Sequence, residues 1–96
     1  MLNQPSAGAA LDALGDGSRR AIVERLGHMP TSVSDLADLL GVSRSAVLQH
    51  LKILERSGLV SSYKEGRVRT CELNPAGLSA VQQWLDELQL HDPEFS

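Results

Sequence analysis

Apolar residues fall at helical spacing in five blocks of this 96-residue chain and change to strand-like spacing in one. The block from Val33 to Arg56 organises the rest. In its first run Leu36, Ala37 and Leu40 share one face while Asp35 and Asp38 point elsewhere, and in its second Val47, Leu51 and Leu54 form a stripe. Gly41 lies between the runs, where a helix end needs an unusual backbone angle, and Ser43 is placed to cap the second run through its hydroxyl. Val42 is expected to plug the corner between the two helices, and Ala37 is small enough to let them cross closely. Two short amphipathic helices joined at a glycine make a helix-turn-helix. The second buries its stripe and leaves Arg44, Ser45, Leu48, Gln49 and Lys52 on or near the outer face, the face free to read a groove.

The flanks follow from the same pattern. Residues 1–8 read as a loose tail. Ala9 to Leu14 predicts a short helix with Ala10, Leu11 and Leu14 on one stripe. Asp16 or Ser18 caps the next helix, Arg19 to about Gly27, with Ala21, Ile22, Val23 and Leu26 inward, and His28-Met29-Pro30-Thr31 breaks the chain after it. Beyond Arg56 the period changes. Ser57-Gly58 stops the helix, and Leu59-Val60 followed by SSYKEGRVRTCEL predicts two strands joined at Glu65-Gly66. Lys64, Arg67 and Arg69 are placed at or beside the hairpin tip, adding charge and little packing, which makes the hairpin a wing suited to phosphates or the minor groove. Asn74 caps and Pro75 opens a last helix striped by Leu78, Val81, Leu85 and Leu88, with Trp84 widening the stripe, and the chain after Gln89 reads as frayed.

The apolar stripes of the first helix (Leu11, Leu14) and the last (Leu78, Val81, Trp84, Leu85, Leu88) are not needed to support the helix-turn-helix. They are expected to pair with each other and with a second copy as a dimer interface. Two recognition helices entering successive major grooves must stand roughly 34 Å apart, a spacing a two-fold dimer supplies. The expected fold is mainly α (α+β): a homodimeric winged helix-turn-helix of five helices and a two-stranded β-hairpin wing. One domain at about residues 9–89 lies between tails at 1–8 and 90–96.

Composition narrows the class without changing it. The three aromatic residues leave an aliphatic core. No run approaches a membrane span, and MLNQPSAGAA lacks the basic start and apolar core of a signal peptide, so the expected location is cytoplasmic. A single cysteine, Cys71, excludes an internal disulfide and any two-cysteine zinc site, and its place on the second wing strand suits a small apolar filler better than a redox group.

Charge changes the picture more. The net charge of −3 is unpromising for a nucleic-acid binder, yet Arg44 to Arg69 holds six basic residues against two acidic ones, a local +4, and the remainder carries −7. A positive reading surface on an acidic body is expected.

LxxLGDxSRRAIVERL (Leu11 to Leu26), SVSDLADLLGVSRSAVLQHLKILERSGLV (Ser32 to Val60) and GRVRTCELNP (Gly66 to Pro75) together resemble the ArsR/SmtB family of winged-helix repressors across about residues 9–89. The resemblance implies a homodimer that binds an imperfect inverted repeat in double-stranded operator DNA and represses transcription, in many members its own. It also implies that Ser43, Arg44, Ser45, Leu48, Gln49 and Lys52 lie at the major groove and Lys64, Arg67 and Arg69 on the wing. The family's cysteine-rich metal motif is here Val33-Ser34-Asp35-Leu36, without a thiol. The last-helix ligand positions fall at Pro75 and Gly77 and near Leu88 and His91, and His28, His50 and His91 have no mutual spacing for a zinc site. The chain thus resembles the subgroup without a metal site, no cofactor is expected, and the residues name no inducer.

Gln49 is suited to a bidentate contact with adenine and Arg44 to one with guanine or to a phosphate grip, while Leu48 suits either a thymine methyl or packing against the wing. His50, three residues after Val47, fits packing better than base contact. No catalytic constellation is present, so an enzyme is not expected. Two alternatives stay open beside the repressor: a winged-helix module that binds a protein, and a sensor repressor released by a small molecule or thiol modification.

Overall fold

The computed structural model describes residues 6–90, the last through its backbone alone. Five helices and three strands alternate in the order α1 (Ala7–Ala13), α2 (Gly17–Leu26), β1 (Thr31–Ser32), α3 (Val33–Leu40), α4 (Arg44–Arg56), β2 (Val60–Glu65), β3 (Val68–Leu73) and α5 (Pro75–Leu90). The expected five helices form, and the helix-turn-helix is α3 and α4.

Each helix starts at a short polar side chain that accepts a backbone N–H, as the unpaired amides of a first turn require. Ser6 Oγ accepts from Ala9, Asp16 Oδ2 from Arg19, Ser32 Oγ from Asp35, Ser43 Oγ from Ala46 and Asn74 Oδ1 from Ala76, all at 3.0–3.2 Å. Two boundaries therefore shift. Ala7 and Gly8, assigned to the tail, are helical, and Asp16, not Ser18, caps α2, which begins at Gly17. The end of α1 is closed from outside: Arg19 Nε donates to the Ala13 carbonyl at 2.6 Å and Arg20 Nη1 to that of Leu14 at 2.8 Å.

The sheet has three strands, not two. β1 pairs antiparallel with β3 (Thr31 opposite Cys71, Ser32 opposite Thr70), which places β3 between β1 and β2. The Thr31 hydroxyl donates to the Met29 carbonyl at 3.1 Å and accepts from Arg25 Nε at 3.2 Å, so a segment read as a break is tied to both α2 and the sheet. Ile22, Leu26, Val33, Leu36, Ala37, Val47, Leu51, Leu54, Leu59, Val60 and Cys71 make one buried cluster, joined by Ala10 and Ala13 of α1.

Gly41 adopts φ 68° as the turn requires, but Val42 does not plug the corner. Its side chain is exposed, and only its amide closes the turn, donating to the Ala37 carbonyl at 3.1 Å. A backbone hydrogen bond, rather than an apolar plug, closes the corner, and the two helices pack through Leu36, Ala37, Val47 and Leu51 in the buried cluster.

Candidate nucleic-acid interface

The buried stripe of α4 fixes which way the helix faces. Val47, Leu51 and Leu54 are 2% exposed or less, which turns Ser43, Arg44, Ser45, Leu48, Gln49 and Lys52 outward, and all six are exposed. His50 lies between the two faces, half-buried. This matches the packing role read from its position.

The wing stands beside this face. In an antiparallel pair, residues directly opposite share a side. Ser62 opposite Cys71 and Lys64 opposite Arg69 therefore put all four on the side that faces the body and α4. Lys64 and Arg67 are exposed. Arg69 is not the loosely packed tip residue expected: it is half-buried, and its Nη1 donates to Ser62 Oγ at 2.8 Å. The Ser62 hydroxyl in turn donates to Glu55 Oε2 on α4, also at 2.8 Å. Glu55 and Ser62 had no signal in the sequence, because their meeting depends on the strand register and on the angle at which the wing leaves α4.

A groove of about 440 Å³ runs between helix and wing, lined by Ser45, Leu48, Gln49, Lys52, Glu55 and Arg69 over a floor at Leu51. It brings one wing residue, Arg69, together with four of the six recognition-helix candidates. Ser43 and Arg44 lie at the open N-terminal end of α4, and Lys64 and Arg67 lie further out on the wing. Cys71 is fully buried on β3, and burial first, then the Glu55 carboxylate, pushes its thiol up to about 11 against a lowering by Arg69. It is neutral at ordinary pH, the state of a packing residue and not of a nucleophile.

The expected interface residues divide. Leu14 and Val81 are half-buried and pack against the core, whereas Leu11, Leu78, Trp84, Leu85 and Leu88 are 37–52% exposed. α1 packs on α5 within the chain, as their stripes implied. Among the described residues no three or more His, Cys, Asp or Glu side chains gather where a metal ion would need them, and His91 lies outside those residues. No described helix is long and apolar enough to cross a membrane.

A family described as a helix-turn-helix domain matches residues 14–63, which takes in α2 through α4 and the first part of the wing. Over 77 residues the chain is 52% identical to the HTH-type transcriptional regulator Rv2034 of Mycobacterium tuberculosis, covering 80% of this chain and 72% of that one. The chain belongs to the ArsR/SmtB family of helix-turn-helix transcriptional regulators. Its similarity to the HTH-type transcriptional repressor SmtB of the same organism is 42% over 62 residues, 65% of this chain and 46% of the relative. The crystal structure of an ArsR family transcriptional regulator, RHA00566, superposes with a TM-score of 0.80 at 38% identity over 85% of this chain and 90% of that one. Members of the ArsR/SmtB family are DNA-binding regulators and not enzymes.

Proposed function

We propose that the chain is a homodimeric transcriptional repressor, cytoplasmic, that binds an inverted-repeat operator, the unit at about residues 9–89 supplying both DNA reading and pairing. The observation that carries this reading is the division of α4: three apolar residues buried, and an exposed outer face of which Ser45, Gln49 and Lys52 share a groove with Arg69 of the wing while Arg44 lies at the helix's open N-terminal end. A module that docks on a protein through this face would present apolar side chains there. Relatives named as repressors support the direction of control.

In this reading Ser43, Arg44, Ser45, Leu48, Gln49 and Lys52 enter the major groove, with Arg44 and Gln49 discriminating bases. Lys64 and Arg67 meet phosphates from the wing. Leu11, Leu78, Trp84, Leu85 and Leu88 pair with a second copy, with Leu14 and Val81 bracing them from below. The chain carries no metal switch of its own.

The test is binding of the purified protein to the DNA upstream of its own coding sequence against a scrambled fragment, titrated with salt and repeated with zinc and with a chelator. Six to eight neutralised phosphates per dimer give a log-log salt slope of roughly −5 to −7. A slope near zero, or equal affinity for both fragments, would refute the reading, and release by zinc would refute the absence of a metal switch.

A further inference from the structure

Lys64 and Arg69 face each other directly across the hairpin, an arrangement in which two cations repel. The strain is relieved on one side only. Arg69 turns away from the tip to Ser62, and the Ser62 proton goes to the Glu55 carboxylate near the end of the recognition helix. A hydroxyl that accepts from a guanidinium while donating to a carboxylate has both partners charged, the stronger class of protein hydrogen bond. The relay joins α4, β2 and β3, and it closes the same groove whose open side faces the proposed DNA. Lys64 and Arg67 have no such engagement among the described side-chain hydrogen bonds.

We infer that Glu55, through the Ser62 hydroxyl, holds Arg69 as a bracket that fixes the wing's angle to the recognition helix, so that Arg69 is a positioning residue and not a phosphate contact. Where it concerns DNA, this rests on the proposed function. The carboxylate's expected effect is then the reverse of simple electrostatics. Removing a negative charge beside DNA ordinarily tightens binding, whereas removing Glu55 lets the wing swing and weakens it.

The experiment compares Ser62→Ala, Ser62→Thr, Glu55→Gln, Arg69→Gln and Arg67→Gln in two readouts. In the free protein, amide hydrogen exchange over Val60–Leu73 rises several-fold in S62A and stays near wild type in S62T, which keeps the hydroxyl. On the upstream DNA fragment, S62A binds roughly threefold to tenfold more weakly, the size of one net hydrogen bond lost, and E55Q, which keeps an acceptor oxygen but loses the charge, is weakened less. R69Q weakens binding with its salt slope unchanged, while R67Q flattens the slope by about 1 per subunit. The bracket is overturned if S62A matches wild type in wing exchange, if E55Q binds more tightly, or if R69Q flattens the slope as R67Q does. A wild-type protein with no preference for its upstream DNA would defeat the DNA reading alone, since the exchange comparison decides the bracket without DNA.

Discussion

The recognition helix α4 and the last helix α5 are both amphipathic, and they use their apolar stripes in opposite ways. In α4 the stripe is buried within the chain and the polar face is left to solvent. Among the described side chains of α5 only Gly77 is buried and Val81 packs on the core, while Leu78, Trp84, Leu85 and Leu88 stay exposed along with Leu11 of the neighbouring α1. One helix is complete in a single chain. The other leaves four large apolar side chains exposed, the surface proposed to pair with a second copy.

The contrast breaks most sharply at Leu85. Replacing it with Asp puts a carboxylate on both sides of the proposed two-fold interface, and each leucine removed from it forfeits about 1.5–3 kcal/mol of burial. Sedimentation equilibrium is expected to show monomer with unchanged helical content, and persistence of dimer would place the interface elsewhere. The α4 counterpart, Leu54→Ala, acts on folding and not on assembly. Opening a cavity at a side chain with no exposure is expected to lower stability by about 2–5 kcal/mol in urea titration.

Gly77 sharpens the comparison because it is where α5 touches α4's end. A Cβ there would lie 2.5 Å from the Gly58 carbonyl oxygen and 2.8 Å from the Leu59 nitrogen, both backbone atoms. Gly77→Ala is expected to cost about 1–3 kcal/mol by overpacking and to loosen α5 first, visible as faster amide exchange there than in α4. The smallest effect is at Asp16. The Arg19 amide holds its carboxyl below the ordinary 3.8, followed by opposing desolvation and smaller pulls from Arg19 and His50. A lowered carboxylate favours the folded state above the unfolded value and loses that contribution as pH falls through the folded one. Asp16→Asn, which keeps a capping oxygen but not the charge, should therefore melt slightly below wild type at neutral pH and decline less steeply below about 4, so that the difference closes in acid.

The helices, the caps at Asp16, Ser43 and Asn74 and the buried stripe of α4 were legible in the residues because each depends on spacing within one segment, whereas the cap at Ser6 was hidden in what read as a tail. β1 was not. Thr31-Ser32 is two residues long, follows a proline, and exists only because Cys71 and Thr70 lie alongside it. Val42 misled for a similar reason, since an apolar residue after a glycine turn suggests burial, and whether anything covers it is decided by the helices' crossing. At the candidate site, the outward placing of Arg44, Ser45, Leu48, Gln49 and Lys52 was readable from a stripe, while Glu55 and Ser62 required a strand register and an angle between elements that no local pattern encodes.

The stitch between Gly58 and α5 has a mechanical meaning. Gly77 donates to the Gly58 carbonyl and Asn74 to that of Leu59, both at 2.9 Å, so the pivot at the end of the recognition helix is clamped to the base of α5 by main chain alone. Such a joint has no side-chain slack. In the proposed dimer, a tilt of α5 would therefore reach the end of α4 through Gly58 rather than be absorbed by side chains.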